Sequence, residues 1–290
     1  SPSIRSRSPD QRLNPVAITD ESTLIAAAKG VTGARLFVKA SAVSEGTGTF
    51  HSTWKLAGQP VAGANPPLFS NAATKIPTKA TVGSFPFVNG AVDGDRALIK
   101  VSPVMATAGM FIPYDRLWSC SGFGTVVTTA QAVNTPESLP SARDPNLGAD
   151  VLPFLEVYTA PGATTATWTI TGTDANGNTG RTWVYTHPAN AESIGQMMLA
   201  LPGGASPATT AGIRQVTQFQ CSATSGTAGD VGITLARIMS PAGSPITGQG
   251  PVLDALLTGL PTVYNDSCIS AMVLCSTTNT GLILGEMVIG

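Results

Sequence analysis

Thirty-one glycines and twenty-two prolines are spread through these 290 residues without a period, and they confine the chain to short elements. Proline lacks the amide that a helix interior or a central strand needs, and glycine marks turns. Between these interruptions, stretches rich in Val, Ile, Thr and aromatic residues recur roughly every 8–12 residues, the spacing of strands in sandwiches and jelly rolls. The expected fold class is all-β: two β-sandwich or jelly-roll-like domains, an extended N-terminal arm and a few short helices.

The alternation within the stretches supplies detail. In Ala34–Ala40 the residues at 34, 36, 38 and 40 are apolar while Arg35 and Lys39 intervene, so the aliphatic set is expected to face the core. Phe154–Thr159, Thr167–Thr171 and Arg181–Tyr185 read as further strands, with an Asn176-Gly177 hairpin turn between the last two. Glu21–Lys29 reads as a helix capped by Thr19 or Asp20 and ended by Gly30. A second short helix is expected near Val252–Leu257. A third is expected over Ala191–Leu201, where Ile194, Met197, Met198 and Leu201 share one helical face. The final strand, Leu282–Ile289, is apolar on both faces, so it is central in its sheet or covered by another subunit. The stretch 134–150, NTPESLPSARDPNLGAD, is the best linker candidate. It divides the chain into an arm at 1–19, a β-rich domain at 20–145 and a β-sandwich domain at 146–290.

Charge is scarce: 16 Lys+Arg and 17 Asp+Glu, 11% of the chain, about half the usual share. Lys100 is the last lysine, and only Arg116, Arg143, Arg181, Arg214 and Arg237 follow it as cations. A surface so neutral is either clothed in Thr, Ser and Asn or covered by neighbours. The formal net charge of −1 offers no general attraction for nucleic acid or an anionic membrane. No apolar run reaches the roughly 18–20 residues of a membrane helix. No apolar signal core follows Ser1, as expected of a chain made in a cytosol.

Residue chemistry argues against an enzyme. His51 and His187 are the only histidines, and no G-x-S-x-G surrounds a serine. The four cysteines, at 120, 221, 268 and 275, form no C-x-x-C pair, so neither a zinc site nor any other metal or cofactor is expected. Asp174, Asn176 and Asn178 have the oxygen spacing that opens a calcium loop, but Tyr185 stands where its bidentate Glu belongs. Trp54 and Trp118 are candidates for a glycan platform, against the plainer reading of core aromatics.

Several segments are similar to a family of tailed-bacteriophage virion structural proteins. They are Phe50–Lys55 with Gly58-Gln59-Pro60 and Gly63, Tyr114–Trp118 followed by Ser121-Gly122, Leu155–Thr159 and Asn178–Thr182. Ser225–Gly229 with Val231–Thr234, and the closing Ile283-Leu284-Gly285, add to them. The resemblance implies a non-enzymatic minor capsid or cement protein on the head surface, with a tail or baseplate part, or a host-glycan-binding module, as alternatives. It implies the major capsid protein and copies of itself as partners, with a trimer favoured, and the virion as location after synthesis in the host cytoplasm. Membrane and nucleic acid are not expected partners. The candidate assembly contacts are Arg5, Arg7 and Arg12 on the arm and Leu282, Leu284, Met287 and Ile289 on the final strand.

Overall fold

A computed structural model describes residues 21–29, 34–41, 47–190, 192–203, 212–244, 246–279 and 281–290. The arm at 1–19, with Arg5, Arg7 and Arg12, lies outside them. The described residues are all-β apart from two short helices, α1 (Glu21–Lys29) and α2 (Ala255–Thr258).

Six strands close a barrel at the centre. They are β2 (Phe50–Ser52), β5 (Gly109–Gly124), β7 (Val151–Thr159), β10 (Gln196–Leu199), β13 (Asp230–Ile238) and β16 (Ile269–Cys275). The order β13-β7-β10-β2-β16-β5 returns on itself because β13 also pairs with β5, and β14 (Ala242–Ser244) extends the wall beside β5. The 16-residue β5 pairs with β16 over Gly109–Asp115 and with β13 over Tyr114–Gly124.

Two five-stranded sheets pack on the outside of this barrel. One carries the first and last strands and is called here the terminal sheet. It comprises β1 (Ala34–Lys39), β3 (Gly58–Gln59), β4 (Arg96–Met105), β15 (Thr262–Val263) and β17 (Ile283–Ile289), in the order β15-β4-β17-β1-β3. The other, the mid-chain sheet, comprises β6 (Gln131–Ala132), β8 (Ala166–Asp174), β9 (Arg181–His187), β11 (Leu201–Pro202) and β12 (Ile213–Cys221), in the order β11-β9-β8-β12-β6. β17 is central in the terminal sheet, between β4 and β1.

Each outer sheet makes its own core with the barrel wall. The terminal sheet sets Phe37, Leu98, Val101 and Met287 against Phe111, Ile269 and Val273. The mid-chain sheet sets Trp168, Ile170, Trp183 and Phe219 against Trp118, Leu155, Ile233 and Leu235. Alternation along the shared strands decides which residue serves which side. Phe111 and Val273 face out to a sheet, while their neighbours Ile112 and Met272 line the barrel interior with Tyr114, Phe154, Met197 and Ala236.

Besides the barrel interior, two cores are thus present, but they do not follow the 145/146 division. One draws on residues from 37 to 111 and again from 242 to 289, and the other takes 117 to 235, nested between them. The proline-bearing 134–150 stretch is strapped to the body. Leu139 is buried, and Arg143 donates to the Pro77 carbonyl at 2.6 Å and to Asp115 at 2.6 Å. The helix expected over Ala191–Leu201 is instead the strand pair β10 and β11. Met197 points into the barrel and Met198 into the mid-chain core, opposite sides that only a strand gives to adjacent residues.

The hairpin expected at Asn176-Gly177 is present: β8 pairs with β9, and Gly177 takes φ +88°. The Asp174 carboxylate is consumed by the turn, accepting from the Asn178 amide and side chain at 2.9 Å each. Burial would raise its pKa, but the bonds from Asn178 outweigh that and lower it.

Candidate functional site

Several of the charged groups that could have served chemistry are spent inside. Arg116, Arg143 and Arg237 are buried, so of the five cations after Lys100 only Arg181 and Arg214 face solvent. Within the barrel, Arg116 Nη2 donates to Glu156 Oε2 at 2.6 Å and to the Tyr158 hydroxyl at 2.8 Å. Thr234 and Tyr158 donate to the same carboxylate oxygen at 2.9 and 2.8 Å. The guanidinium also lies 4.7 Å over the Trp54 ring, a cation–π contact. Burial alone would raise the Glu156 carboxyl, but the adjacent Arg116 outweighs it and holds the acid below its ordinary range. Burial, followed by the Glu156 charge, pushes the Tyr158 phenol well up. The pair stays ionised, with Arg116 Nε and Glu156 Oε1 the atoms left without a hydrogen bond.

A second ionic cluster sits at the wall. Asp115 accepts from Arg143 at 2.6 Å, from Ser267 Oγ at 2.6 Å and from the Cys268 amide at 2.9 Å, with Arg237 at 3.6 Å. It fastens the 134–150 stretch and the start of β16 to β5.

Neither histidine offers a free base. Burial drives His51 down to about 4, so it is neutral at physiological pH. His187 has Nε2 2.8 Å from the Gly162 carbonyl and Nδ1 2.5 Å from Glu192, beneath the stacked ring of Trp168. All four cysteines are buried and none forms a disulfide, and burial pushes the thiols of Cys221 and Cys268 up to about 12. Among the described residues no three His, Cys, Asp or Glu side chains gather as metal ligands. Trp54, Trp118, Trp168 and Trp183 are 0–3% exposed, so none presents a ring face to a sugar. The glycan platform for which Trp54 and Trp118 were candidates is corrected on that ground, and the plainer reading applies: both rings are core.

The outer face of the terminal sheet is different, and it reverses an expectation. In β1 it is Phe37 and Lys39 that point inward, while Leu36 is 84% exposed. Two features drive the inversion. Phe37 stacks on Phe111 at 5.1 Å and meets Phe85 edge-on at 5.4 Å, a larger apolar gain than Leu36 could provide. Lys39 buries its stem because its ammonium donates to the Pro60 carbonyl at 2.7 Å and to the Leu56 carbonyl at 3.3 Å. Burial lowers its pKa to about 8.

On the same outer face stand Leu284 from β17 and Val104 from β4, paired with each other in register. They are 45% and 37% exposed. Leu282 is exposed as expected. Met287 and Ile289 are not assembly contacts: alternation turns both into the core, at 2% and 5% exposure. Leu36, Val104 and, on α2, Leu256 are among the exposed aliphatics that the sequence reading missed. The charge-to-aliphatic alternation of β1 pointed the wrong way, and nothing in it signalled a buried lysine.

No family model matches this chain, and no curated protein matches it. Among solved structures, that of the Gt strain of infectious bursal disease virus is similar at 8% identity, covering 96% of this chain and 84% of that one, with a TM-score of 0.21. A likeness that slight carries no argument about fold or role.

Proposed function

We propose that this chain is a non-enzymatic structural component of a tailed-phage virion, a minor capsid or cement protein on the head surface. It binds the major capsid shell and copies of itself through the outer face of the terminal sheet. The observation that carries the reading is the inverted strand β1, which turns Leu36 to solvent beside Leu284 and Val104 while it buries a lysine. Leaving a leucine that exposed forgoes about 1.5–3 kcal/mol of burial, which a permanent partner recovers. The sequence resemblance supports the virion setting. The buried histidines, thiols and carboxylates support a role without catalysis.

The test is direct. Purified particles digested and analysed by mass spectrometry contain this chain in stoichiometric amount, and shells stripped of it rebind the purified protein. Its absence from purified particles overturns the reading. Rebinding to tails rather than heads moves the proposal to the tail.

A further inference from the structure

At one end of the same outer face the sheet is roofed by both helices, and a groove of about 460 Å³ runs between them. Its floor is Ile99 and Val288 with the Lys100–Glu286 ion pair. One wall is Leu24 and Ile25 of α1, and the other is Asp254 to Leu256 at the start of α2. The groove is apolar and its lips are open: Ile25 is 43% exposed and Leu256 is 90% exposed. α2 itself is held firmly, with the Asp254 carboxylate accepting from the Leu256 and Leu257 amides and Gly259 ending it at φ +69°. This wall is therefore preformed.

We propose that this groove seats the chain's own N-terminal segment, residues 1–20. Connection is the first argument. The segment runs directly into Glu21, and the helix that begins there supplies one wall. Twenty residues span up to about 66 Å when extended, whereas neighbouring strands of the floor lie only about 4.8 Å apart. Reach sets no limit, and the tether gives the segment an effective concentration on the order of millimolar.

Composition is the second argument. The apolar residues nearest the helix are Leu13, Val16 and Ile18, the part of the segment that the tether delivers first to an apolar floor. Charge is the third. Lys100 and Glu286 compensate each other on the floor, leaving Asp254 as the unbalanced charge of the lining. The segment carries Arg5, Arg7 and Arg12 against Asp10 and Asp20. Arg12, next to Leu13, brings a cation to the acidic lining as Leu13 enters the groove.

Seating the segment here leaves Leu284 and Val104 uncovered, because the groove lies at the Val288 end of β17 and they lie toward the Ile283 end, while Leu36 stands opposite Glu286 at the border of the floor. The inference does not depend on the virion reading, and purified protein suffices to test it.

In the full chain, Leu256→Cys is paired in turn with Leu13→Cys, Val16→Cys and Ile18→Cys under mild oxidation. The native cysteines are buried and do not compete. The expected result is a disulfide within one chain for at least one pair, read by intact mass and non-reducing electrophoresis. Because Leu256 is exposed, its replacement does not threaten folding. A second readout uses Leu256→Cys alone, labelled with a maleimide. Adding L13D and V16D speeds that labelling about tenfold, since the tethered segment no longer protects the site. Disulfides formed only between chains, no disulfide from any pair, or a labelling rate that L13D and V16D leave unchanged overturns the proposal.

Discussion

The two outer sheets have the same strand number and pack on the same barrel, yet they finish their solvent faces differently. The mid-chain sheet turns out Thr167, Thr169 and Thr171 from β8, with Gln218 and Gln220 from β12, and its strongly exposed aliphatic is confined to the two-residue edge strand β11, at Leu201. The terminal sheet turns out Leu36, Leu284 and Val104. A neutral surface can therefore be of two kinds in one molecule. Hydroxyls and amides satisfied by water make one face self-sufficient. Aliphatics make the other face wait for a partner. The scarcity of charge does not distinguish them; the outward half of each strand's alternation does.

The largest effect expected is inside the self-sufficient half. Trp168→Ala removes a fully buried indole that stacks on His187 and meets Phe219, and should cost about 3–5 kcal/mol in chemical denaturation. A loss below about 1 kcal/mol would mean that this core does not hold its sheet. Arg116→Met should cost a similar amount, about 3–5 kcal/mol, by stranding the Glu156 charge in the barrel shared by both sheets. Adding Glu156→Leu should recover most of it. Hydrogen exchange should rise in both outer sheets for the single variant, and a rise confined to one would separate them.

Transplanting the finish of one face to the other comes next. Leu36→Thr with Leu284→Thr should change stability by no more than about 0.5 kcal/mol. It should weaken rebinding to stripped shells at least tenfold, on the order of 1.4 kcal/mol. Unchanged rebinding would remove the terminal face from assembly. The reverse graft, Thr169→Val with Thr171→Val, should leave stability near wild type and produce self-association visible by sedimentation.

The smallest effect concerns the buried lysine. Below about pH 8 Lys39 is charged in both the folded and unfolded chain, and the folded state bears the burial penalty. Above that, the folded lysine releases its proton while the unfolded one holds it to about 10.4, so stability should rise with pH across that window. Lys39→Met should flatten that slope in thermal melts.

Much of the strand layout is legible in the sequence, because alternation and turn chemistry are local. The Thr167–Thr171 and Arg181–Tyr185 strands, their Asn-Gly turn, and the Glu21–Lys29 helix need no tertiary information. What the sequence hides is set by partners distant along the chain. Which face of β1 is inner depends on the carbonyls of Leu56 and Pro60, 17 and 21 positions away, accepting from Lys39. Residues 194–201 fit a helical stripe and a strand buried on both sides equally well, and closure of the barrel chooses the strand. The Pro-rich 134–150 stretch looks like a linker until Arg143 finds Asp115. Of the candidate contacts on β17, Leu284 faces out while Met287 and Ile289 face in, and telling them apart required knowing which phase of the alternation meets Phe37 and Val101.

The length of β5 has a mechanical consequence. Because its first seven residues are laced to β16 and its last eleven to β13, tension along it loads those hydrogen bonds together, in shear, rather than opening them one by one. The strand acts as a tie-rod beneath both outer sheets. A pull applied to the aliphatic face is carried past the barrel to the threonine face before any single contact has to yield.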